Sequence, residues 1–141
     1  MCSKRDFFFT VAKLHRLATK EFGKRLSHIG MTHGLAAALL HLNFVGEGSS
    51  QSQVAESMEI EQPTLVNLIA RLEEMEIVKK EIFPGDRRKS AIILTPKGRK
   101  LLVQIEGIYD STYRKLFGHV EKSQLEKAEH LQNKMYEASK L

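Results

Sequence analysis

Apolar residues recur at helical spacing from Asp6 to about Leu26, at Phe7, Val11, Leu14, Ala18 and Phe22, which predicts a long amphipathic helix. Thr32 is a plausible N-cap for the next segment. That segment contains LAAALLHLNF, apolar almost all round, and reads as a buried helix. Gly46 and Gly48 punctuate its end. Ser50 and Gln53 then fit a capping box that opens a short helix with Val54, Ala55 and Met58 inward. After the turn Glu59-Ile60-Glu61, a second helix starts near Gln62-Pro63, where a first-turn proline is tolerated. Its apolar stripe is Leu65, Leu68, Ile69, Leu72 and Met75, and its polar face is Gln62, Pro63, Thr64, Asn67, Arg71 and Glu74.

The period then changes. VKKEIF and AIILT read as two β-strands, joined by a six-residue connection from Pro84 to Lys89. Thr95-Pro96 caps another helix, which carries Leu101, Leu102, Ile105, Ile108, Tyr109, Tyr113, Leu116 and Phe117. Ser123 and Glu126 suggest a capping box for a last helix with Leu125, Ala128, Leu131, Met135 and Ala138 on one side. The expected fold is mainly α with a small β-hairpin, in the order α-α-α-α-β-β-α-α.

Charge sharpens this picture. The net charge is +5 over 141 residues, unevenly spread. Residues 1–26 carry seven Lys/Arg against two acids, and residues 79–100 carry eight against Glu81 and Asp86. Residues 51–78 carry Arg71 against six glutamates. Two basic segments favour a polyanionic partner. No apolar run approaches the ~20 residues of a membrane span. A single cysteine, Cys2, cannot form an internal disulfide, and the expected location is the cytoplasm.

A short helix, a tight turn, an amphipathic helix and a hairpin together make a winged helix-turn-helix. A helix fits the major groove of B-DNA, where Asn and Gln can bond adenine in a bidentate way. Gln62, Pro63, Thr64, Asn67 and Arg71 are therefore the candidate contacts of the recognition helix. Ser50 and Ser52, at the start of the preceding helix, are candidates for the DNA backbone. At the hairpin tip Arg87 and Arg88 suit a narrow, electronegative minor groove, with Lys89 on phosphate. Asp86 either shapes the Pro84-Gly85 turn or pairs with a neighbouring arginine.

These residues resemble the DNA-binding core of the MarR/SlyA transcriptional regulators. The shared pieces are I-E-Q-P-T-L-V at 60–66, R-L-E-E at 71–74, D-R-R at 86–88 and L-T-P-K-G at 94–98. The resemblance covers nearly the whole chain, 1–141, taken as one unit. It implies a DNA-binding lobe over 32–95 and dimerisation helices over 5–26 and 96–140. It further implies a homodimer on a pseudo-palindromic DNA duplex, repressor activity, and a small, often anionic or phenolic effector. Gln62, Pro63 and Thr64 fall on base- or backbone-contacting positions, and Arg88 falls on the wing arginine with Arg87 as its basic neighbour. Three positions depart from the pattern. Asn67 stands where SlyA-like members often have Arg, which favours adenine over guanine. Glu59 and Glu76 stand where turn glycines are frequent, at a cost of ~1 kcal/mol each if those backbones are left-handed.

Other chemistry has little to stand on. There is no G-x-S-x-G, H-E-x-x-H, Walker A or dinucleotide glycine fingerprint, so no enzyme is expected. His28, His33 and His41 come without H-x-x-x-H or C-x-x-C, so neither a metal nor a cofactor is expected. Cys2, ahead of the first helix, is a weak redox candidate. The apolar stripes of the terminal helices read as dimer core, without specifying a ligand pocket. The rival reading is a winged-helix protein-interaction module without DNA readout, which has no need of three consecutive cations at its tip.

Overall fold

The computed structural model describes residues 2–83 and 85–140, apart from the side chains of 83 and 86–89. Six helices and one hairpin follow in order: α1 Lys4–Ser27, α2 His33–Val45, α3 Gln51–Met58, α4 Gln62–Glu74, β1 Val78–Phe83, β2 Asp86–Leu94, α5 Pro96–Phe117 and α6 Lys122–Ser139. The expected fold class and element order are both present.

The caps show why the chain breaks where it does. Thr32 Oγ1 accepts the Leu35 N–H at 3.2 Å and starts α2. Ser50 and Gln53 form the expected capping box of α3, with Gln53 Oε1 accepting the Ser50 N–H at 2.9 Å. The last helix differs from expectation: α6 begins at Lys122, and Gln124 Oε1 accepts the Glu121 N–H at 3.1 Å. Glu121 and Gln124 offer the same spacing two residues earlier than Ser123 and Glu126, and the earlier pair starts the helix.

Buried side chains from every element except α6 and α3's outer face form one core. It centres on Leu39, Leu42, Leu65, Ile69, Leu72, Ile77, Ile92 and Ile105, all with no exposed surface. The near-uniform apolarity of α2 is explained by its place among α1, α3, α4 and α5. The stripes of α1 and α5 divide. Phe22, Leu102, Ile105 and Tyr109 belong to this core, while Val11, Leu14 and Tyr113 remain exposed. The inner parts of both stripes are thus taken by the chain's own core, and only their outer parts are left exposed.

The L-T-P-K-G motif is the junction between α4 and α5. Thr95 Oγ1 donates to the carbonyls of Glu76 (2.6 Å) and Ile77 (3.1 Å) and accepts the Gly98 N–H (3.0 Å). Lys97 Nζ reaches the Met75 carbonyl at 2.8 Å. These bonds satisfy carbonyls left open where α4 ends. Gly98 is required by space: a β-carbon there would lie 2.1 Å from the Ile77 carbonyl oxygen.

The hairpin is antiparallel, with Val78 opposite Leu94 and Ile82 opposite Ser90. The connection is shorter than the six residues the sequence pattern predicts. β2 already begins at Asp86, which pairs with Phe83. Arg87, Arg88 and Lys89 therefore sit in β2 at a register shift, with no counterparts on β1. Charged runs carry little strand propensity, so the pattern alone assigns them to the loop. A bulge of this kind bends the strand and increases its twist. On the other edge of β2, the α2–α3 loop adds a short third rung: Gly48 N–H donates to Ile92 O (3.1 Å) and Ile92 N–H to Ser49 O (2.9 Å).

Candidate nucleic-acid interface

All five expected contacts of α4 are exposed together. Gln62, Pro63, Thr64, Asn67 and Arg71 face solvent, while Leu65, Ile69 and Leu72 are buried on the opposite side. Between them the helix also exposes Val66 (36%) and Ala70, which periodicity does not flag as contacts. Val66, Gln62, Pro63 and Asn67 line one shallow depression. An apolar side chain among polar ones there can meet a thymine methyl group. The signal in the sequence is a valine that falls off the 65-68-69-72 stripe.

The backbone candidates separate. Ser50 Oγ is occupied by its own helix cap, accepting the Gln53 N–H at 3.2 Å. Ser52 is exposed on the first turn of α3. For the wing, the backbone of 86–89 is placed by the strand, while the side chains of Asp86, Arg87, Arg88 and Lys89 lie outside the described residues.

The basic segment is less available than its sequence suggests. Lys79 pairs with Glu81 (3.2 Å), Lys80 with Glu73 (3.1 Å) and Arg99 with Glu47 (2.9 Å). Lys97 is engaged at the α4–α5 junction. Four of the five cations of 79–100 whose side chains are described are therefore engaged by other groups of the protein. The Lys80–Glu73 pair ties the root of β1 to the back of α4.

Both glutamates at turn positions adopt the left-handed backbone: φ is 54° at Glu59 and 60° at Glu76. Glu59 ends α3 and so shapes the turn that sets α4 against α3. Its carboxylate accepts a hydrogen bond from the Tyr136 hydroxyl of α6, which pushes the Tyr136 phenol upward in pKa.

Between α1, α2 and α5 lies a cavity of about 340 Å³, lined in part by His15, Phe22, His33, Tyr109, Tyr113 and Phe117. The Phe22 and Tyr109 rings stack at 4.1 Å between centroids. His33 lies 2.8 Å through Nδ1 from the Tyr109 hydroxyl. Burial, and secondarily the charge of His15, hold His33 below the ordinary histidine range. Burial, and secondarily Tyr113, push Tyr109 up to about 12. Of the three neighbouring histidines, His33 faces this cavity and His41 bonds Ser57 Oγ at 2.9 Å. No cluster of three metal-ligating side chains occurs among the described residues. Cys2 is exposed and unpaired. No helix of the described residues is long and apolar enough to cross a membrane.

Residues 29–89, which span α2 to the wing, match the model of the MarR family. Among solved structures, the transcriptional regulator PA3341 is 28% identical, with 95% of this chain and 98% of that one covered at a TM-score of 0.85. S. aureus MepR, in a complex with DNA, is 20% identical, with 98% and 99% covered at a TM-score of 0.84. CouR from Rhodococcus jostii RHA1, bound to p-coumaroyl-CoA, is 22% identical, with 92% and 91% covered at a TM-score of 0.84. The last two likenesses concern the fold.

Proposed function

We propose that this chain is a winged-helix transcriptional regulator of the MarR family, whose model it matches over residues 29–89, and that it represses transcription by binding a pseudo-palindromic operator as a homodimer. The observation that carries the proposal is the exposed face Gln62-Pro63-Thr64-Asn67-Arg71 on a helix tied to a hairpin whose bulge holds Arg87, Arg88 and Lys89. The helix reads base edges in the major groove, and the wing arginines enter the adjacent minor groove.

Residues 32–95 form the DNA-binding lobe, and 5–26 with 96–140 form the dimer. No residue of α6 is buried within the chain, and its Leu125, Leu131 and Met135 are each 46% exposed. A helix in a protein draws most of its stability from packing an apolar face, so a partner surface is needed for this one. Phe8, Phe9, Leu14 and Leu17 of α1 are more than 45% exposed and supply apolar surface for the same interface. Two-fold symmetry then sets half-sites about one DNA turn apart, ~10 bp centre to centre.

The cavity between α1, α2 and α5 is the place for an effector. Aromatic walls with the imidazoles of His15 and His33 as hydrogen-bonding groups suit a small phenolic ligand. Its position between the terminal helices and the DNA lobe lets occupancy shift the two relative to each other.

The test is selection of duplexes from a random pool by the wild-type protein, followed by binding measurements across salt concentrations. A two-fold symmetric preference and a negative salt slope are expected. Arg88→Ala should weaken binding of the selected duplex by ~1–3 kcal/mol. Absence of sequence preference would reject the reading, and equal binding by the variant would remove Arg88 from it.

A further inference from the structure

We propose that Glu47 is a positioning residue that locks the wing to the N-terminal end of α5, so that the approach of the wing to DNA depends on this one acidic side chain. The proposal rests on the DNA-binding reading above for its consequence, though not for its geometry.

Glu47 sits between two glycines with left-handed backbones, Gly46 at φ 114° and Gly48 at φ 88°. That local path turns the loop alongside β2, where Gly48 and Ser49 bond Ile92 on both sides. One position further along the same edge, the Leu94 N–H points away from β1. Its acceptor is the Glu47 carboxylate, Oε1, at 3.2 Å. The side chain thus continues a rung that the short loop cannot extend with its own backbone. The same carboxylate takes the Arg99 guanidinium at 2.9 Å. Leu94 is the last residue of the wing, and Arg99 lies in the first turns of α5. One carboxylate therefore bridges three segments: the α2–α3 loop, the wing root and the helix that continues into the terminal helical part.

An ion pair at the surface is worth little by itself. Its value here is geometric. The wing is a two-stranded ribbon whose tip lies at its far end, so a small rotation at the root becomes a large displacement at Arg87 and Arg88. Lys80–Glu73 restrains the root on the α4 side. Glu47 restrains it on the opposite edge. Because Arg99 is on α5, a movement of that helix is passed to the wing through the same bond.

The consequence has a sign opposite to simple electrostatics. Removing an acidic residue normally tightens binding to a polyanion. Loss of Glu47 should instead weaken specific binding. Glu47→Gln keeps an acceptor for Leu94 but loses the charge pair with Arg99. Glu47→Ala loses both. On the duplex selected by the wild-type protein, the affinity should fall in the order wild type, Gln, Ala, with the last roughly 10-fold weaker. Hydroxyl-radical protection in the flanking minor groove should fade in Glu47→Ala while guanine and thymine protection in the major groove persists. Tighter or equal binding by either variant, or equal loss of both protections, would overturn the proposal. A readout without DNA separates it from the function itself: amide exchange at Leu94 and Ile92 should accelerate in Glu47→Ala at unchanged midpoint of unfolding. Unchanged exchange there overturns the clamp. Faster exchange in a protein whose wild type shows no sequence preference upholds the clamp and rejects DNA readout.

Discussion

Replacing Glu76 by glycine should stabilise the protein. Glu76 holds φ at 60°, is exposed, and follows the C-cap of α4. The left-handed conformation costs a residue with a β-carbon about 1–2 kcal/mol. Glycine removes that cost but loses about 0.5–1 kcal/mol through the greater freedom of the unfolded chain. The net gain is about 0.5–1 kcal/mol, which for 141 residues raises the unfolding midpoint by roughly 2–3 °C. The carboxylate also matters, because Glu73 and Glu74 lie close in a segment with a net negative charge. Glu76→Ala separates the two effects, since alanine loses the charge and keeps the β-carbon. The assay is thermal unfolding of wild type, Glu76→Ala and Glu76→Gly at one protein concentration, because association shifts the midpoint. Glycine should exceed alanine by the backbone contribution. An alanine variant as stable as the glycine variant would refute backbone strain and leave charge repulsion as the cause. Glu59, at φ 54°, is the poorer test, because its carboxylate also takes the Tyr136 hydroxyl.

Gly98→Ala should be destabilising by at least ~1–3 kcal/mol, since its β-carbon would meet the Ile77 carbonyl that Thr95 also bonds; denaturant titration checks it. Asn67→Ala should relax the preference at one position in each half-site when selected duplexes are sequenced; a uniform loss of affinity would place Asn67 on phosphate. His33 is held below its ordinary pKa by burial, so the unfolded chain binds more protons than the folded one as pH falls. Its contribution to stability is thus complete above the unfolded value of about 6.5 and is lost as pH falls below it. His33→Gln should flatten the stability profile over that window, and an unchanged slope would reassign the effect.

The helix-turn-helix was legible because its signals are local. The stripe Leu65-Leu68-Ile69-Leu72, the Ser50–Gln53 box and the first-turn Pro63 act over one or two turns. The wing was only partly legible. The pairs Phe83–Asp86 and Ile82–Ser90 bracket residues 87–89 as a bulge in β2, against their weak propensity, because the partner strand decides the register. Val66 lies off the apolar stripe, and its exposure beside the polar contacts comes from the packing of α4.

Periodicity and capping, then, determined the six helices, the hairpin and the face of α4 that meets solvent, since each depends on residues within a few positions of one another. Tertiary structure alone decided which cations are already engaged, which half of each terminal stripe is core, and that Glu47 meets Leu94 and Arg99. Those contacts join residues up to 52 positions apart. They arise from the packing of elements against each other, which no local pattern encodes.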